Sequence, residues 1–150
     1  MIKVTFTGGR DLEEALKALP KHTARKGVAR RVLKRAAKLF ADRANELAPR
    51  GDQGALEESY GVGTKLTKRQ AKQARREGRD DVFMYAGTSD PAGLQQEFGN
   101  ARHSAQPHAR PAWDATQQAI FDQIQSDMTA EVSKAVARAE RKAARAARKP

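Results

Sequence analysis

Between Pro20 and Pro49 lies a stretch without proline in which apolar residues recur at helical spacing: Val28, Val32, Ala36, Leu39, Phe40, Ala44 and Leu47. Thr23 is placed to cap its start and Pro49 to close it, so the spacing predicts one long helix from Thr23 to about Ala48. The opposite face carries Arg25, Lys26, Arg30, Arg31, Lys34, Arg35 and Lys38. Such a helix must lay one side on a core and turn the other to solvent or to an anionic partner.

A second row begins at Pro111 and sets Trp113, Ile120, Phe121, Ile124, Met128, Val132 and Val136 along one stripe. It runs on into AERKAARAARKP, where Ala and basic residues replace the large apolar ones. The helix can continue there, but nothing in that tail can bury itself, so fraying or disorder is expected beyond Arg138 in the free protein.

The shorter elements fall between these rows. Ile2, Val4 and Phe6 alternate with polar residues as a short strand does, and Asp11 can cap a helix whose Leu12, Leu16 and Leu19 share a face. ALEESYGVGTKL, with two glycines, suits an edge strand or a bend, and DVFMYAGTS reads as a second strand with Val82, Met84 and Ala86 on one side. TKRQAKQARREGRD is helical by propensity but almost devoid of large apolar residues, and PAGLQQEFG reads as one or two helical turns with Pro91 early and Gly99 as the stop. The expected fold is α+β: a small antiparallel sheet against two long helices, with a basic helical C-terminal extension. One domain is expected over residues 1–137, with 65–79 as a basic insert and 138–150 as a basic tail.

Only 39% of residues are hydrophobic and 5% aromatic, so the core is thin and burial against neighbouring subunits is plausible. The formal charge of +11 is segregated: residues 21–43, 65–79 and 138–150 carry +8, +6 and +5, which leaves −8 elsewhere. Candidate contacts for DNA or an acidic partner are Arg30, Arg31, Lys34, Arg35, Lys68, Arg69, Lys72, Arg75 and Arg76. Few aromatics lie among them to stack bases, so contact with nucleic acid would be through phosphates. Solvated helix faces are the other reading of the same charges.

Without cysteine there is no disulfide or thiolate chemistry, and a Cys/His metal cluster is excluded. No stretch approaches the length of a membrane span and MIKVTFTGG is no targeting signal, so a soluble protein made in the cytoplasm is expected. His103 beside Ser104 lacks a third orienting group, which makes a solvated loop the better reading. Glu57, Glu58 and Glu97, even with His103 and His108, are too irregularly spaced for a metal site and read as surface carboxylates. No catalytic residue and no cofactor is expected.

Several pieces stand in a fixed order: Leu47-Ala48-Pro49, Gly54-Ala55-Leu56-Glu57-Glu58-Ser59, Met84-Tyr85-Ala86-Gly87, Glu97-Phe98-Gly99, Gln106-Pro107 and Arg110-Pro111-Ala112-Trp113. Over roughly residues 24–136 this order resembles the tail-completion, or head-tail joining, family of neck proteins from long-tailed bacteriophages and prophages. The resemblance implies a structural virion protein rather than an enzyme, assembled in the host cytoplasm as a ring, expected to be a hexamer, around the DNA channel where head meets tail. Its implied partners are itself, the adjacent neck or connector and tail-tube proteins, and packaged DNA without sequence preference; no membrane is implied. The implied interface is Glu97, Phe98, Gly99, Gln106, Pro107, Arg110, Pro111 and Trp113. Phe98 and Trp113 suit either core packing or interface burial, since aromatics are enriched in both.

Overall fold

The computed structural model describes residues 22–50, 56–64, 67–74 and 82–147. The strand expected at Ile2–Phe6 and the helix expected after Asp11 lie outside them. Helix α1 runs His22–Leu47. Val28, Val32, Ala36, Ala41 and Ala44 are its buried apolar side chains, with Ala48 buried just past its end, while Leu39 and Leu47, expected in the core, are exposed. The helix ends where Pro49 disfavours the helical conformation of the residue before it.

The second long helix, here α4, covers Ala109–Ala147 and starts two residues before the expected Pro111. It runs antiparallel to α1: Val28 and Val32 cluster with Met128, and Ala41, Ala44 and Ala48 cluster with Ala112. Alanines at the contact let the backbones approach closely, which is how a chain with few large apolar residues still forms a core. Trp113 and Phe121 of the expected stripe are exposed, while Met128 and Val132 are buried.

The expected basic helical extension is present: α4 continues past Arg138 to Ala147 without fraying, its described side chains from Arg138 on exposed. High helix propensity of Ala and Arg carries it there without burial. Deleting residues 138–150 should therefore change unfolding free energy by no more than about 0.5 kcal/mol, the range of surface changes. A larger loss in a urea titration would mean that the extension packs.

Strands β1, Tyr60–Gly63, and β2, Tyr85–Thr88, pair antiparallel with Tyr60 opposite Thr88 and Gly63 opposite Tyr85. Both are shorter than expected. Leu56–Ser59 forms a turn in which Ser59 N donates to Leu56 O at 3.1 Å, and among the described residues Val82–Met84 pairs with no strand. Asn45 of α1 fixes β1 from the side, its Oδ1 accepting from Tyr60 N at 2.9 Å and its Nδ2 donating to Tyr60 O at 3.2 Å.

Two short helices complete the described chain. α2, Lys68–Ala74, opens with a capping box: Gln70 N donates to Thr67 Oγ1 and Thr67 N to Gln70 Oε1. α3, Pro91–Phe98, has Pro91 in its first turn and ends at Gly99 as expected, and Asp90 caps its start by accepting from Ala92 N at 2.8 Å. Gly93 brings α3 against β2, since a Cβ there would lie 2.5 Å from Thr88 Cγ2. Thr88 is held in turn by hydrogen bonds to Ser59 Oγ and Asp90 N.

Candidate assembly interface

A helix start leaves four backbone N–H groups without an intrahelical partner. In α4 they belong to His108, Ala109, Arg110 and Pro111, because the first intrahelical bond runs from Ala112 N to His108 O. Pro111 has no N–H to satisfy. Glu97 takes the other three, Oε2 accepting from His108 N and Ala109 N at 2.8 Å each and Oε1 from Arg110 N at 3.2 Å. The last turn of α3 thus caps the helix that begins twelve residues later.

Arg110 completes the arrangement. Its Nε donates to Glu97 Oε1 at 2.8 Å, its Nη2 donates to Glu97 O at 3.1 Å, and its guanidinium lies 5.3 Å from the centre of the Phe98 ring. Burial by itself would raise the Glu97 pKa, but the Arg110 guanidinium and the three backbone N–H groups outweigh it and bring the carboxyl to about 2. The expectation of a surface carboxylate is corrected here: Glu97 is only 5% exposed.

Beneath the cap, buried His108 turns Nδ1 to Gln106 O at 3.2 Å and Nε2 to the Tyr60 hydroxyl at 2.8 Å. A carbonyl can only accept, so Nδ1 donates, and in the neutral ring Nε2 accepts a hydrogen bond from the Tyr60 hydroxyl. Burial, and secondarily the Glu97 charge, raises the Tyr60 pKa and keeps it a donor. His108, Tyr60, Phe40 and Trp113 form a chain of edge-to-face rings 5.5, 6.0 and 6.3 Å apart, linking α4 to β1 and α1.

The turn between α3 and α4 is shaped by Gly99, at φ 74° and ψ 176°. Asn100 braces it, Oδ1 accepting from Arg102 N and His103 N, while Gln106 N donates to Gln96 O at 2.7 Å. His103 sits in this turn with Nδ1 on Ser104 O, well apart in role from buried His108. Among the described residues no group of three or more His, Asp or Glu could hold a metal, and no helix is long and apolar enough to cross a membrane.

The expected interface segment therefore divides in two. Glu97, Gly99 and the backbone around His108 build the α3–α4 joint, whereas Gln106, Pro107, Pro111, Phe98 and Trp113 face outward. Phe98 is 65% exposed, and Trp113 is 50% exposed with its ring edge packed on Phe40. Leu94, one turn before Phe98 and 67% exposed, joins them although the sequence reading passed over it. Together with Phe40, Met84 and Ile120 these side chains line an open apolar groove of about 820 Å³ between α1, β2, α3 and α4.

A family model described as "Bacteriophage HK97-gp10, putative tail-component" matches residues 10–99. The chain belongs to the HK97-gp10-like family. The match takes in α1, both strands, α3 and the Glu97-Phe98-Gly99 step, and it makes the chain a bacteriophage structural component. No curated protein and no solved structure matches this HK97-gp10-like chain. Its α4 lies beyond the matched residues but is fastened to them through Glu97.

The cationic stripes also divide. Arg31 reaches Glu131 at 2.9 Å, and Arg35 reaches Asp127 at 3.2 Å and Glu131 at 3.9 Å, so this part of the α1 stripe binds α4. The Arg31 guanidinium bonded to Glu131 holds that carboxyl below its ordinary pKa. Arg30 and Lys34 on α1, and Lys68, Arg69 and Lys72 on α2, are exposed. Arg75 and Arg76 lie outside the described residues.

Proposed function

We propose that this chain is a neck component of the virion that completes the tail end and joins it to the head connector, assembling as a ring, expected to be a hexamer, around the DNA channel. The observation that carries this reading is the exposed cluster of Leu94, Phe98 and Trp113 on a chain from a phage tail-component family. A single chain with so small a core does not expose three large apolar side chains around one groove without a partner for them. The partners are other copies of the chain and the adjoining neck, connector and tail-tube proteins.

Imaging and sizing of the purified chain, alone and with its neck partners, test the reading. Closed rings of fixed stoichiometry are expected, and a chain that stays monomeric in both settings rejects it. Phe98→Ala should weaken assembly by at least about tenfold, since burying such a side chain is worth roughly 1.5–3 kcal/mol. Helix content should stay unchanged, because Phe98 is exposed in the single chain. Parallel loss of fold and assembly would return Phe98 to the core.

A second reading, contact with the DNA backbone, is favoured by Lys68, Arg69 and Lys72, three exposed cations on one seven-residue helix. Any binding they support should weaken steeply with salt and show no sequence preference. Neutralising all three should lower the salt slope by about 2 to 3, roughly one per lost phosphate contact. Lost head-to-tail joining with unchanged retention of free DNA would assign these cations to an acidic protein ring.

A further inference from the structure

We propose that the groove between α1, β2, α3 and α4 is filled by residues 11–19 of a second copy of this chain, docked as a helix. The inference rests on the self-association read above and names the two surfaces that meet. Residues 11–19, DLEEALKAL, place Leu12, Leu16 and Leu19 on one helical face, with Asp11, Glu13 and Glu14 in the first turn and Lys17 near the end. The groove is apolar along its floor and charged at its ends. Leu33 and Ala37 line its α1 wall, with exposed Arg30 and Lys34 three residues before each, whereas Asp90 and Asp114 line the far end.

The Glu97–Arg110 pair at that far end neutralises itself. Groove and segment therefore share an end-to-end charge polarity, acids meeting Arg30 and Lys34 while Lys17 meets Asp90 and Asp114. The lengths agree as well. Asp11 to Lys17 is about 9 Å of helix, and Leu33 to Phe40 about 10 Å, at 1.5 Å per residue.

Reach decides which copy supplies the segment. Only residues 20 and 21 separate it from the start of α1 at His22. Folded back along α1, a nine-residue helix of about 13 Å plus a linker extended to about 10 Å reaches at most roughly 24 Å, whereas Phe40 lies about 27 Å from His22. A chain's own segment therefore stops short of the end of the groove where Leu94, Phe98 and Trp113 are exposed. Donation to the next copy is a heterologous contact, which closes into a ring when its rotation is a fraction of a full turn.

The cysteine-free sequence allows a direct test with full-length chains. With oxidised glutathione as the two-electron oxidant, Leu16→Cys mixed with Leu94→Cys should form a disulfide between chains at least roughly tenfold faster than Leu16→Cys mixed with Gln118→Cys, because docking raises the local thiol concentration towards the millimolar range. Unchanged circular dichroism is expected for each variant, since Leu94 and Gln118 are exposed. In the double variant Leu16→Cys/Leu94→Cys, a ladder of linked chains is expected. Equal rates, no disulfide, or closure within one chain overturns the proposal. Leu12→Asp/Leu16→Asp should also lose assembly, and full assembly by that variant overturns it independently. Sizing under reducing conditions separates the two readings: rings without the selective disulfide reject the groove assignment alone, and a selective disulfide in particles no larger than dimers rejects the ring alone.

Discussion

Glu97→Gln is expected to cost about 3 kcal/mol at neutral pH and much less at pH 2. The carboxyl titrates near 4.5 when unperturbed and at about 2 in the folded chain, a difference worth about 3 kcal/mol. Because the folded pKa is the lower one, this stability is fully present above about pH 4.5 and is lost as pH falls towards 2. Glutamine keeps one acceptor oxygen but turns an NH2 towards backbone donors and carries no charge for Arg110. Urea titrations from pH 7 to pH 2 should show the two proteins converging. Glu131, held down by Arg31, leaves the variant a residual slope of its own. Parallel curves for the two proteins would mean that Glu97 is not the group that makes the α3–α4 joint acid-sensitive.

Gly99→Ala should cost more, roughly 3 to 5 kcal/mol, from a backbone conformation open almost only to glycine together with a steric clash. At φ 74° and ψ 176° an alanine is strained before any neighbour is considered. Its Cβ would then lie 2.8 Å from Ala105 N and 3.2 Å from His103 O, both backbone atoms that cannot swing aside. The turn from Gly99 to Pro107 sets α4 over Glu97, so the Gly99→Ala and Glu97→Gln losses should be less than additive. A loss under about 1 kcal/mol in urea unfolding would show that the turn relaxes freely and that Gly99 does not position the cap.

Local signals were legible where the chain alone determines them. Pro49 ends α1, Pro91 stands in the first turn of α3 and Gly99 ends it, each through the conformation of a residue and its near neighbours. The two facing strands were also readable, but not their length, which depends on what each finds to pair with. Core membership was less legible. Periodicity put Leu39, Leu47, Trp113 and Phe121 inside, yet the helix contact is made largely by alanines, and close approach leaves the bulky side chains at its edge.

The cap was hidden for another reason. Nothing near Glu97 announces that it serves a helix starting twelve residues on, and Arg31 and Arg35 gave no sign of partners nearly a hundred residues away. Leu94 could have been found, since it stands four residues before Phe98 on a predicted helix. Its exposure, however, is a property of the assembled fold.

The fastening of α4 also has a mechanical side. The helix is a rod of about 58 Å at 1.5 Å per residue, gripped at its root by five hydrogen bonds to Glu97. Tension along the rod strains these bonds together, so they share the force, whereas the four-residue strands can be unzipped one pair at a time. A pull on the far end of α4 is thus shared between the face and ion pairs that bind it to α1 and the Glu97 joint, which passes its part into α3 and the rim of the groove.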